Sequence, residues 1–158
     1  MSSTAPARWR GSSDEEQEGL LAEGRVGLSM ALTEDLLVGF GARVQTTKAE
    51  ADYRSSTAWG LYGSINLRYD APFGLTDYPW ELSIQGDGRR VDYHGVNPAV
   101  GTGLERDDHD ARGVIRNTIG LSSSWFVFAE GGIQDVGSTI PNYRTNDKFV
   151  TLGATWRF

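Results

Sequence analysis

Apolar and polar residues alternate at every second position over long stretches of this chain. That period constrains the fold more than any other feature. The last eight residues are the clearest case. In Thr151-Leu152-Gly153-Ala154-Thr155-Trp156-Arg157-Phe158, Leu152, Ala154, Trp156 and Phe158 fall on one face, with Thr151, Thr155 and Arg157 on the other. A period of two marks a β-strand with one apolar and one polar side. A helix would repeat its apolar residues at three and four, and these do not recur that way.

Seven segments of this kind are expected, at 20–32, 36–48, 55–70, 80–92, 110–121, 125–136 and a last one ending at Phe158. In the first, Val26, Leu28, Met30 and Leu32 oppose Arg25, Gly27 and Ser29. In the second, Leu36, Val38, Phe40, Ala42 and Val44 oppose Gly39, Gly41 and Arg43. The third sets Trp59, Leu61, Ile65, Leu67 and Tyr69 against Tyr62, Ser64, Asn66 and Arg68. The fourth sets Trp80, Leu82 and Ile84 against Glu81, Ser83, Gln85, Asp87 and Arg89. Ile115 and Ile119 oppose Arg112, Arg116 and Thr118 in the fifth; Val127, Ala129 and Ile133 oppose Glu130 and Gln134 in the sixth. Turn chemistry separates them: Thr33-Glu34-Asp35, residues 49–54, the proline-bounded 71–79, the long stretch 93–109, Ser122-Ser123-Ser124 and residues 137–145. Proline is confined to strand edges and turns because it cannot donate to a ladder. Residues 1–19 read as an irregular polar segment or external loop, and residues 20–158 as the strands.

Composition narrows the fold class. A chain of 158 residues suits one domain, and its 39% hydrophobic content leaves no run long enough for a membrane-spanning helix. The same polarity is normal for a membrane β-barrel, in which half of each strand faces a wet interior. Each segment also has the ~9–11 residues a tilted strand needs to cross the hydrocarbon layer. The expected class is therefore all-β, an antiparallel up-and-down transmembrane β-barrel. A soluble all-β sandwich is the alternative.

On the barrel reading, Arg43, Arg68, Glu81, Asp87, Arg89, Arg112, Arg116, Glu130 and Arg157 face the lumen. The arginines are expected to pair with Glu81, Asp87 and Glu130, since buried charges need partners; an anion-preferring pore is the other reading. Tyr69, Trp80, Trp125, Trp156 and Phe158 sit at segment ends beside the short turns, where membrane-interface aromatics belong.

The terminal segment also resembles the carboxy-terminal assembly signal of Gram-negative outer-membrane β-barrels, with Thr151, Gly153, Trp156 and Phe158 at its specified positions. The resemblance implies an outer-membrane location, with outer-membrane lipid and the barrel assembly machinery as partners. It places Phe158 and the short turns on the periplasmic side. Seven strands then leave the beginning of the chain outside. Single-chain barrels normally have an even number, so the chain is expected to be the C-terminal part of a larger barrel; the rival is an extra hairpin hidden in the third segment or in 93–109.

Val136-Gly137-Ser138-Thr139-Ile140-Pro141-Asn142-Tyr143 with Thr151–Phe158 is similar to the last hairpin of barrels that follow periplasmic tetratricopeptide repeats, including the surface lipoprotein assembly modifiers. Pro72-Phe73-Gly74-Leu75-Thr76, Pro79-Trp80 and Arg106-Asp107-Asp108-His109-Asp110 are similar to pieces of their turns and loops. This likeness implies a secreted or surface-displayed client.

Other chemistries find little support. The chain has no cysteine, which excludes thiolate metal sites and disulfides, and its net charge of −6 lacks the basic footprint of a nucleic-acid binder. No metal or cofactor is expected. The acidic runs Asp14–Glu18 and Asp107–Asp110 read as solvated loops. The N-terminal residues have no apolar core of a signal peptide. His94 and His109 are the only histidines and fall in 93–109, while Ser122–Ser124 fall on the opposite side. A Ser-His pair must be within hydrogen-bond reach. The expected role is accordingly non-enzymatic, in transport, surface export or envelope structure; a passive porin-like channel and a hydrolase at the external rim are the alternatives.

Overall fold

The computed structural model describes residues 2–4, 7–10, 19–98, 100 and 103–157. The protein is all-β: among the described residues nine strands form one antiparallel sheet, joined by turns and three short 3-10 segments. The strands are β1 (Ser2–Thr4), β2 (Ala7–Arg10), β3 (Gly19–Ala31), β4 (Leu36–Ala49), β5 (Ser56–Tyr69), β6 (Trp80–Val96), β7 (Glu105–Gly120), β8 (Trp125–Ser138) and β9 (Thr145–Trp156). From β3 to β9 each strand pairs with its neighbours in the chain, which is an up-and-down meander. Among the described residues the sheet is open, with β9 at one edge.

The other edge departs from expectation. Residues 1–19 read as irregular, yet β1 and β2 lie end to end along β3, from Ser2 opposite Gly27 to Arg10 opposite Gly19, in one register. Together they fill the place of an eighth strand beside the seven long ones. The sequence hides this because its alternation is confined to the short stretch Ala5-Pro6-Ala7-Arg8-Trp9-Arg10 and includes Pro6, which has no N–H for a ladder. Residues 11–18, with most of the first acidic run, lie outside the described residues. The odd count behind the expectation of absent upstream strands is thereby altered. No hidden hairpin accounts for it: the third segment is one continuous strand, β5.

A second correction concerns 93–109. β6 runs on to Val96 and β7 starts at Glu105, so the connection is 97–104, shorter than the turn at 70–79. Asp107–Asp110 belong to a strand. Cross-strand charge pairs hold it there: Arg89 reaches Asp110, and Arg90 reaches Asp107. Opposite charges facing each other across a ladder favour pairing.

Register fixes the two faces. Trp59, Leu61, Ile65, Leu67 and Tyr69 on β5 stand beside Val44, Ala42, Val38 and Leu36 on β4 and beside Ile84, Leu82 and Trp80 on β6. Ile115 on β7, Ile133, Ala129, Val127 and Trp125 on β8, and Val150, Leu152, Ala154 and Trp156 on β9 continue the same face. This apolar face is the exposed one: Leu61 is 63%, Ile133 57%, Leu152 77% and Val150 81% accessible. The charged face is more sheltered, with the Asp110 and Asp108 side chains only 12% and 6% accessible. Among the described residues only Ala58 and Ile140 are buried hydrophobics. Among the described residues the sheet has no apolar core of the kind that holds a soluble sandwich together.

Candidate functional site

The exposed apolar face has two distinct ends. At the end of the turns 32–35, 70–79 and 121–124, aromatic residues pair across the ladder. Tyr69 meets Trp80 edge to face at 6.1 Å, and Trp125 stacks on Trp156 at 6.4 Å. Their polar atoms are engaged: the Tyr69 hydroxyl donates to Asn117 Oδ1 at 2.9 Å, and the Trp80 indole N–H donates to Thr76 Oγ1 at 3.2 Å. Phe158 lies outside the described residues. At the opposite end the same face turns polar, with Arg90, Asp92, Asp107, His109, Asp135, Asn146 and Lys148 in register beyond the apolar residues.

On the other face stand Arg43, Arg68, Glu81, Asp87, Arg89, Arg112, Arg116 and Glu130, brought together by register. Arg157, just past β9, reaches this face by laying its guanidinium over the Phe126 ring at 4.7 Å. Two of the expected charge partners are present: Arg43 donates to Asp87 at 2.6 Å, and Arg116 lies 3.8 Å from Glu130. Arg89 pairs instead with Asp110 at 3.1 Å, a residue the sequence placed in a loop. Arg68 stands opposite Glu81 in the ladder, but no ion pair joins them among the described residues. A hollow of about 400 Å³ opens in this wall, lined by Tyr62, Ser64, Gln85, Asp87, Arg112 and Glu130.

The sequence pattern alone did not mark the phenylalanines of β8 and β9 on this polar face. Phe128 on β8 packs against Gly153 of β9, and Phe149 on β9 packs against Gly132 of β8. A Cβ at either glycine would collide with the ring. Glycines covered by a cross-strand aromatic are a known way of pinning register. The available signal was an aromatic residue on the polar phase of the alternation, but the glycine it needs is visible only once strands are paired.

A clamp closes the end of the sheet where 97–104 and 139–144 emerge. The Arg106 guanidinium lies over the Tyr93 ring at 4.5 Å and over the Tyr143 ring at 3.7 Å. Its edge binds both oxygens of buried Asp108, through Nε at 3.0 Å and Nη2 at 2.5 Å. Burial, the strongest influence on Tyr93, moves its phenol above the ordinary value; the Arg106 charge opposes that shift. These groups lie beyond the polar end of the apolar face.

Among the described residues neither histidine forms part of a nucleophilic constellation. His94, on β6 rather than in a loop, shares a 3.0 Å hydrogen bond with Thr57. His109, on β7, packs its ring against Gly137 on the exposed face. Ser122 accepts from the Ser124 and Trp125 backbone N–H groups at the far end of the sheet, a turn-forming arrangement. No group of three or more potential metal ligands converges among the described residues.

No family model matches this chain, and no match to a curated protein or a solved structure was found.

Proposed function

We propose that this chain is a wall of a Gram-negative outer-membrane β-barrel, with a non-enzymatic role in transport, surface export or envelope structure. One observation carries the reading: the continuous apolar face is exposed, and the charged face is the sheltered one. Soluble monomers rarely leave more than a few hundred Å² of contiguous apolar surface in water. Hydrocarbon removes that cost. From Tyr69 to Trp59 the β5 face covers about 33 Å of strand at ~3.3 Å per residue. At the ~40° tilt usual for barrel strands this is a band of about 25 Å, the height of an outer-membrane apolar belt. The aromatic pairs then lie at one interface, and Arg90, Asp107 and Lys148 lie in the headgroups of the other.

The C-terminal pattern Thr151, Gly153, Trp156 and Phe158 supports recognition by the barrel assembly machinery. The likeness of 70–158 to the barrels of surface lipoprotein assembly modifiers makes surface export the branch of this role to test first. An arginine-lined channel is the second reading, favoured by Arg68, Arg112 and Arg157, which have no ion pair among the described residues.

The test is folding from urea into detergent micelles and into lipid vesicles. The expected result is heat-modifiable mobility on gels and protease protection in vesicles. A chain that stays folded and monodisperse in buffer without detergent would overturn the reading.

A further inference from the structure

We propose that the inner wall made by β7, β8 and β9 is a binding track for oxyanions, suited to a polyanion bearing several phosphate groups. The proposal rests on the reading of the charged face as the lining of a water-filled lumen.

A guanidinium has two flat faces and an edge carrying five N–H donors. Stacking on a ring occupies a face; an ion pair occupies the edge. The arginines of the charged face separate on this basis. Arg43 and Arg89 spend their edges on Asp87 and Asp110. Arg106 lies over two tyrosine rings and has its edge filled by Asp108, so it is structural. Arg112, Arg116 and Arg157 differ. Each lies over a phenylalanine ring, Phe149 at 5.8 Å, Phe128 at 3.8 Å and Phe126 at 4.7 Å respectively. Arg112 and Arg157 have no acidic partner among the described residues. Arg116 has Glu130 at 3.8 Å, beyond hydrogen-bond range. These three cations are held in place by a face while their donors stay available.

The rings are set in order along the wall. Phe149 is level with Val114 of β7 through Gly132, Phe128 with Thr118, and Phe126 with Gly120. The steps along β7 are about 13 Å and about 7 Å at ~3.3 Å per residue. Three open guanidiniums thus lie within about 20 Å of height, spaced for an extended chain of anionic groups. The acids on this face are mostly committed elsewhere: Asp87 to Arg43, Asp110 to Arg89 and Asp108 to Arg106. Glu130 sits beside Arg116, Asp147 on β9 is level with Gln134 of β8, and Glu81 stands opposite Arg68. Guanidiniums match phosphate oxygens with paired donors, and the attraction should weaken with salt.

The probe is inorganic tripolyphosphate, titrated calorimetrically at low ionic strength into the full chain folded in detergent. The wild-type protein should bind it saturably. Changing Arg112, Arg116 and Arg157 to Gln together should weaken binding at least ~tenfold. Phe149→Leu, which removes a ring but no charge, should weaken it as well, whereas Lys148→Gln on the opposite face should not. If the triple variant fails to fold, Arg157→Gln alone, beyond the end of β9, should still reduce affinity by roughly threefold. Folded wild-type protein that binds no tripolyphosphate overturns the track, as does equal binding by the folded variants. Failure of the barrel reading is seen separately, as absence of the heat-dependent gel shift.

Discussion

Phe128 sets its ring where a Gly153 side chain would stand, directly across the β8–β9 ladder. Gly153 is also the glycine of the terminal pattern that resembles an assembly signal. The fold therefore gives that residue a physical role of its own: any side chain there displaces Phe128, and with it the ring that supports Arg116. Gly153→Ala should destabilise the folded protein by about 1–3 kcal/mol, the usual cost of overpacking. In Phe128→Ala the space is vacated, so the double variant should lose less than the two single losses added together. Urea midpoints of the three variants in detergent measure that coupling; strict additivity would mean that the contact is unimportant.

The Arg106–Asp108 pair gives a second expectation. Asp108 is buried, and Arg106 lies over the Tyr93 and Tyr143 rings. Removing one partner of a buried pair leaves the other uncompensated, which costs about 3–5 kcal/mol when burial is complete. Arg106 is only partly buried, so about 2 kcal/mol is expected for Asp108→Ala. The 139–144 turn, which carries Tyr143, should become the first site of proteolytic nicking. Limited proteolysis with mass mapping reads this directly; cleavage unchanged from wild type would argue against the clamp.

Much of this was legible before the strands were paired, and the reason is local. Alternation identifies a strand and its two faces from adjacent residues alone, so β3 to β9 and the sidedness of Arg43, Arg68 and Glu130 follow from sequence. What escaped depends on residues far apart in the chain. Asp107–Asp110 resemble a solvated loop until Arg89 and Arg90, some twenty positions earlier, are set opposite them. Phe128 and Phe149 are unremarkable until register supplies Gly153 and Gly132. β1 and β2 escaped because each is only three or four residues long, too short for a period of two to stand out.

Strain at the turn 70–79 leads to a third expectation. Phe73 has φ of 57°, in the left-handed region, and its side chain is fully exposed. That conformation costs a non-glycine residue about 1–2 kcal/mol, and here no contact with the rest of the sheet offsets it through burial. Phe73→Gly should raise the urea midpoint, with a gain of about 1 kcal/mol less the added flexibility of the unfolded chain. A drop in stability would show that the exposed ring has a partner under the conditions of the assay.

The sharpest contrast lies between adjacent residues of β5. Ile65 is on the exposed apolar face, close to midway between Tyr69 and Trp59; Ser64 is on the charged face beside the hollow shared with Gln85 and Asp87. If the apolar face meets hydrocarbon, an arginine at Ile65 sits near the bilayer midplane, where it costs about 2–4 kcal/mol. An arginine at Ser64 enters a polar hollow with room for it, and about 1 kcal/mol or less is expected. A soluble sheet reverses the order: Ile65→Arg would then improve solubility at almost no cost, because the residue is already 44% exposed. Folding yields of Ile65→Arg and Ser64→Arg into lipid vesicles decide between these outcomes. The expected result is a severe loss for the first and near wild-type yield for the second.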